Sequence, residues 1–525
     1  MQTALTFIGF ILFVAVYSYI KLRKERLTSS EGYFLGGRSL TGIVIAGSML
    51  LTNISTEHLI GMNGSSYKNG FIIIAWEVTS ALALVIAAIY FVPRYLKMGL
   101  TTIPEFLEKR FDKTTRVLVA FFLIISFVVT LLPIVLYTGA INLESIFNVS
   151  EVLGVSQNEG LWITVITIGI IGSIYAIFGG LKAVAVSDTI NGYGLLLGGL
   201  AIPFLALYAI GDGSLFNGLS KVYENSPEKF NVVGAKDSVM PFEVLFTGLI
   251  INQLYFWAMN QTIIQRALGA KNLVEAQKGL LYTGVLKILV PTIIILPGVI
   301  GFYYYGDSLY ENQDMIYPEL IKKVLPLSLV GIFAAIVMGA VLSTFNSVLN
   351  SAATIFSLDI YKGYFNKNSS DNRLVKIGKL TSTILAVFSI LVAPFVANAP
   401  DGLYQLLQQL NGIFFIPIGS IMIAGFFLKK VSAAGAKASL FVGLAFYITT
   451  SFILKTDIHF VHIWGIEFIL NIATMFLVSH FYPSDGKFKF SELNIDDLVQ
   501  WKYTKPMSVS LCIITISVYV LMGTY

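Results

Sequence analysis

The sequence predicts an all-α polytopic membrane protein, and three observations predict it. Only 12% of its 525 residues are charged and 56% are hydrophobic, with mean hydropathy +0.77. Soluble domains carry about 25% charge. Apolar runs long enough to cross a hydrocarbon core of about 30 Å as helices recur along the whole chain. The basic residues gather in every second segment between those runs. A membrane β-barrel is a poor alternative, because its strands alternate polar and apolar residues whereas these runs are solid blocks.

The runs give about fourteen spans. A lead helix covers 3–21. Ten spans follow near 42–66, 71–93, 117–143, 160–178, 185–210, 239–264, 279–304, 326–358, 377–397 and 402–428. Three more trail near 431–453, 460–481 and 506–524, so residues 1–525 form a single membrane domain. The lead helix reads as a retained anchor rather than a signal peptide, because its basic cluster, Lys21, Arg23, Lys24 and Arg26, follows the apolar run instead of preceding it. The loops at 211–238 and 305–325 are polar and suit short surface helices.

Basic loops mark the cytoplasmic side of a membrane protein. Counted over alternate loops, one side holds only Lys68, Lys221, Lys229, Lys236, Lys322, Lys323 and Lys455. Lys287 falls inside a span, and the rest of the 35 Lys and Arg residues, Arg266 among them, share the other side. A miscounted span in mid-chain would destroy that bias. The expectation is therefore a multi-pass protein of the cell (plasma or bacterial inner) membrane, both termini outside. The net charge of +5 then needs no nucleic acid to explain it. A single cysteine, Cys512, excludes an intramolecular disulfide and any Cys-based metal site.

An anchor or scaffold keeps its spans clean, and this chain does not. Ionisable residues in hydrocarbon cost about 2.5–3.5 kcal/mol each on insertion scales, so they face a cavity or a partner. The span at 42–66 carries a polar block, Asn53, Ser55, Thr56, Glu57 and His58, followed by Gly61 and Gly64. That pattern fits a broken helix whose freed carbonyls bind a cation; polar bonds to neighbouring helices are the competing reading. In the next span Glu77 and Ser80 share a helix face. Lys287 lies deep in an apolar run and needs a carboxylate, a carbonyl or a ligand hydroxyl. Asp188 opens a span, where an acid also suits the helix dipole. Gln253, Trp257 and Asn260 share one face, and Gln405, Gln408, Gln409 and Asn411 crowd another. Such amides donate and accept, which suits a neutral polyol. Finally, Ala340, Ser343 and Thr344 offer a carbonyl and two hydroxyls on one face. Alone, those hydroxyls would simply bond their own helix; beside a broken helix they suit a hard monovalent cation.

At these segments the chain resembles the sodium/solute symporter family, through EGYFLGGRSL, TNISTEHLIGM, TTIPEFLEKRF, IFGGLKAVAVSD, QRALGAKNLVEAQKG, LKILVP with LPG, and LNSAATIFSLDIYK in order. The resemblance extends over nearly the whole chain. It implies a ten-helix core over 42–428, two inverted five-helix repeats with broken helices, flanked by a lead helix and three trailing ones. It implies a sodium ion held by the carbonyls of Leu51, Ile54 and Ala340 and the hydroxyls of Ser343 and Thr344, with Asp188 on the ion's exit path. It further implies sugar contacts by Asn53, Glu77, Ser80, Lys287 and Gln408. Departures surround these. His58 stands where the family's bacterial galactose carrier has Gln, Gln253 replaces Asn, and Trp76 replaces Tyr. Phe256 occupies the place of an inner-gate Tyr, keeping the stacking face without the phenol. The expected function is import of a hexose-like sugar with sodium through the lipid bilayer, by alternating access. Family carriers of inositol, sialic acid or amino acids are the alternatives. A cation channel has no use for a sugar-like set of Glu, Lys and amides beside a separate cation site. No residue constellation is placed for enzymatic chemistry.

Overall fold

Lipid offers a backbone no outside hydrogen-bond partner, so an apolar block satisfies its own N–H and C=O groups as a helix. The computed structural model obeys that rule. It describes residues 2–22, 29–396, 403–484, 486 and 488–523. Among the described residues there is no strand beyond one isolated bridge between Leu40 and Ala270. Arg23, Lys24, Arg26 and Lys487, and the span ends at 397, 402 and 524, lie outside the described residues.

The helices, in chain order, are α1 (Gln2–Leu22), α2 (Gly42–Asn53), α3 (57–69), α4 (70–97), α5 (Lys113–Phe147), α6 (157–179) and α7 (Gly180–Ile210). They continue as α8 (Gly248–Ala258), α9 (Gln261–Leu268), α10 (Leu273–Leu289), α11 (Pro291–Tyr305), α12 (Leu327–Phe365) and α13 (Asp371–Val396). The last four are α14 (Leu403–Phe427), α15 (Ala433–Ile453), α16 (Phe460–Phe481) and α17 (Thr504–Met522). By length and hydropathy, 9 described helices cross a membrane, and α10 with α11, bent by 40°, makes up to 10. The other predicted spans are helical as well: α1 is a continuous helix and α6 runs unbroken to Gly180, while α2 and the α8–α9 pair are shorter or interrupted. The chain is a multi-pass membrane protein. The two polar loops do carry surface helices, Leu215–Asn225 and Ile316–Val324.

Two helices are broken in the middle. The α2–α3 break falls where the polar block predicts it: Ile54 leaves the helical region at φ −85°, ψ 97°. The α8–α9 break was not legible in the run 239–264. Met259 ends α8 at φ −132°, and Asn260 caps α9, its Oδ1 accepting from the Thr262 amide at 2.9 Å. An Asn at a helix start satisfies donors that the break would otherwise leave bare. Around these breaks α2 packs on α10, α7 and α12, and α12 packs on α7 and α1.

The spans predicted at 160–178 and 185–210 are joined by no loop. They meet at Gly180, whose φ of 60° and ψ of −172° bend the chain between α6 and α7. Only glycine enters that region without strain. A Cβ there would also lie 2.7 Å from the Tyr33 carbonyl oxygen. Gly180→Ala is expected to cost about 1–3 kcal/mol from backbone conformation alone. A lower thermal midpoint of the purified protein in detergent checks it; an unchanged midpoint would refute this account of the bend.

Side chains fasten both ends of the bundle. At the basic-loop end, Arg116 Nε meets Asp359 Oδ1 at 2.5 Å, and Thr102 donates to the same oxygen at 2.8 Å. At the opposite end Lys229 is buried, and its ammonium donates to the Tyr67 and Lys68 carbonyls at 3.1 and 3.0 Å, closing the C-terminus of α3. Burial holds that ammonium below the usual lysine range.

Candidate functional site

The two breaks open onto one central cavity of about 60 Å³. Asn53, Glu57 and His58 enter it from the α2–α3 break, Trp76 and Glu77 from α4, and Gln253, Phe256 and Trp257 from α8. Lys287 of α10, Thr344 of α12, and Tyr404, Gln408 and Asn411 of α14 complete the polar wall.

Lys287 organises this wall. Only 1% exposed, its ammonium pairs with Glu77 Oε2 and donates to Asn53 Oδ1 at 2.6 Å. It also lies 5.5 Å from the centre of the Trp257 ring, on the side where a cation is attracted. His58 stands between two acids, with Nδ1 3.6 Å from Glu57 Oε1 and Nε2 3.9 Å from Glu77 Oε1. Its ring meets Tyr404 edge-on at 5.4 Å. Gln408 donates to the Tyr404 hydroxyl at 3.3 Å and accepts from Asn411 at 3.3 Å.

Two predicted contacts sit differently from the rest. Gln253 lines the cavity, yet its amide is engaged by the walls: it donates to the Trp76 carbonyl at 2.7 Å and accepts from Trp257 Nε1 at 3.1 Å. Its service is to brace α8 against α4. Ser80 is not among the lining residues, and its hydroxyl donates to the Glu77 carbonyl. It steadies the turn that carries Glu77. Phe256 lines the cavity, its ring 5.2 Å from Trp257 and 6.4 Å from Phe415.

Of the predicted oxygen set, Thr344 lines this cavity, whereas Ser343 lines a separate one with Ser187, Asn191 and Asn346. Thr344 Oγ1 approaches the carbonyls of Thr52 at 3.1 Å and Leu51 at 3.4 Å. Leu51, Ile54 and Ala340 belong to one buried cluster. Ser343 Oγ makes no well-aligned hydrogen bond, with Asp188 as its neighbouring carboxylate. Asp188 is no helix cap. It lies inside α7 and is buried, accepting from Ser48 Oγ at 2.8 Å.

Arg266 corrects the loop reading. It is fully buried on α9, with its guanidinium 3.9 Å from Asp188 Oδ2, 3.2 Å from Ser48 Oγ, and bonded to Ser347 and the Thr262 carbonyl. A helix that restarts after a break carries its first basic residue inward, which a count of loop charges misreads. Sequence reasoning also left Glu57 and Tyr404 unnamed as lining residues. Glu57 adjoins His58, and Tyr404 lies one helical turn before Gln408, the spacing that puts both on one face.

The sodium:solute symporter family model matches residues 33–443. This chain is a sodium:solute symporter family member. The symporter is 44% identical over 515 residues to the uncharacterized symporter YidK of Escherichia coli K12, covering 98% of this chain and 90% of that one. It is 33% identical over 470 residues to the sodium/glucose cotransporter of Vibrio parahaemolyticus, covering 84% of each. A solved structure of a Na+-coupled sialic acid symporter in a substrate-bound outward-open state shares its fold, with TM-score 0.78 at 21% identity over 92% of this chain and 98% of that one. The coupling ion is therefore sodium, the cargo a small solute, and the protein a transporter rather than an enzyme.

Proposed function

We propose that this symporter carries a hexose-like sugar into the cell with sodium, across the plasma or bacterial inner membrane, with both termini outside. The ten-helix core runs from 42 to 428 as two inverted repeats, and the lead helix and α15–α17 flank it. One observation carries the sugar reading. The only lysine among the described residues that line the cavity is already engaged by Glu77 and Asn53, so a solute meets one clamped ion pair and the amides of Gln408 and Asn411. A second acid, Glu57, keeps Oε2 without a hydrogen bond. Among the described residues an anionic solute would find two carboxylates and no free cation, whereas a polyol finds donors and acceptors together. In this reading Asn53, His58, Glu77, Lys287 and Gln408 contact the sugar, Phe256 stacks on it, and Gln253 and Ser80 hold the walls.

Sodium sits between the α2–α3 break and α12, on the carbonyls of Leu51, Ile54 and Ala340 and the hydroxyls of Ser343 and Thr344. On release it passes Asp188, which Arg266 keeps company. Ties from one ion to two helices differ between conformations, and differential binding is what shifts a population. Linkage then requires sugar and sodium to strengthen each other's binding. A potential of about 100 mV supplies about 2.3 kcal/mol per charge moved, which by itself supports a gradient of about fiftyfold.

The test is a panel of radiolabelled hexoses, inositol and sialic acid in proteoliposomes, with and without a sodium gradient. Sodium-dependent accumulation of a neutral hexose is expected. Gln408→Ala is expected to weaken its binding about five- to tenfold, the worth of one lost hydrogen bond. Uptake of sialic acid with no hexose uptake would overturn the sugar reading.

A further inference from the structure

Outside the central cavity, α16 carries an acid that sodium and sugar do not use. Glu467 is fully buried, and neither carboxylate oxygen makes a well-aligned hydrogen bond, with Asn471 as its polar neighbour. Its surroundings are polar but uncharged. Asn471, one turn along α16, donates to Ser420 Oγ of α14 at 3.3 Å and leaves its own Oδ1 unbonded. A Cβ added to Gly443 of α15 would lie 2.5 Å from Asn471 Oδ1 and 3.0 Å from Glu467 Oε1. Acid and amide thus press together against a bare stretch of α15.

Among the described residues no cation faces that carboxyl. The packed neighbours α8 and α14 contain no charged residue. On α15 the only one is Lys437, whose ammonium goes to Asp112 at 2.7 Å. On α16 itself His462 is bonded to the Thr247 hydroxyl at 3.0 Å, and His480 lies in the last turn. The nearest other titratable group is Tyr447 of α15, whose hydroxyl donates to the Gln409 carbonyl at 2.9 Å. An uncompensated carboxylate in such a place is costly, and a neutral carboxylic acid is much less so. Nor do the surroundings build a metal cage. Among the described residues no group of three or more His, Cys, Asp or Glu side chains gathers there, and α16 runs unbroken from Phe460 to Phe481 and frees no carbonyl.

We propose that Glu467 is a proton-binding site in the trailing helices, taking a proton from water and returning it as the bundle changes conformation, and so tuning transport to pH. The site has two routes to the central cavity. Trp464, three residues before Glu467, packs edge-on against the cavity residue Trp76 with ring centres 6.1 Å apart. Tyr447 holds the carbonyl of Gln409, next to Gln408. A charge appearing on Glu467 therefore pushes on both the α4 and α14 walls.

The test needs sodium alone, so it stands whatever the sugar. Sodium affinity of the full chain in detergent is read by tryptophan fluorescence from about pH 6 to about pH 8, for the wild type, Glu467→Gln and Glu467→Asp. The wild type and the Asp variant are expected to change affinity by about fivefold over that window. The Gln variant, a permanent neutral mimic, is expected to fold and to stay flat. Matching pH profiles in wild type and Glu467→Gln would overturn the proposal. So would a Gln variant that fails to fold while the Asp variant folds, since that would mean the charged form is the one the structure needs.

Discussion

Lys287→Met is expected to destabilise the symporter by about 3–5 kcal/mol, the usual consequence of removing one partner from a buried ion pair. The reason lies in what is left behind. Glu77 is 1% exposed and Asn53 is 7% exposed, and both point at the ammonium the substitution removes. Among the described residues no other lysine or arginine lines the cavity to take its place. The same change removes the central donor of the proposed sugar site, so hexose binding should vanish as well. The two effects separate in the double variant Lys287→Met with Glu77→Gln. Neutralising both partners removes the stranded charge, so most of the stability should return while sugar binding stays absent. Thermal midpoints in detergent and equilibrium sugar binding read the two quantities. A single variant as stable as the wild type would show that Glu77 finds another partner, and the clamp described here would be wrong.

Ser343→Ala combined with Thr344→Ala is expected to raise the half-saturating sodium concentration at least about tenfold, with the protein still assembled. Each hydroxyl contributes about 0.5–1.5 kcal/mol as an oxygen ligand or hydrogen-bond partner, and no carboxylate belongs to the proposed set to compensate. Thr344 already reaches toward the Leu51 and Thr52 carbonyls at 3.4 and 3.1 Å, so α12 and the broken helix lie close enough for one ion to bridge them. Uphill uptake should fail in the double variant at ordinary sodium and recover in part at high sodium. Accumulation that keeps its wild-type sodium dependence, or wild-type uptake driven by protons in sodium-free buffer, would sink this sodium site.

The apolar blocks, their helical state, the break after Asn53 and the inward placement of Lys287 were legible in the sequence. In lipid each block has a single way to satisfy its backbone, and a charge or polar run inside it has to be functional or paired. These are local facts, carried by one stretch of chain. Which groups pair is not local. That Lys287 meets Glu77 and Asn53, that Gln253 lines the cavity yet spends its amide on the walls, and that Arg266 turns inward toward Asp188 depend on which helices become neighbours. Membrane spans are apolar all round, so periodicity says little about which face meets which partner. The break at Met259 escaped because it does not interrupt the hydropathy and shows only in the backbone dihedrals; near Gly180 the boundary between two spans was legible, but not that a bend takes the place of a loop. Hydropathy records the solvent each segment lives in. The partner of each polar side chain is set by tertiary packing, because hydrogen bonds and ion pairs act over only a few ångströms.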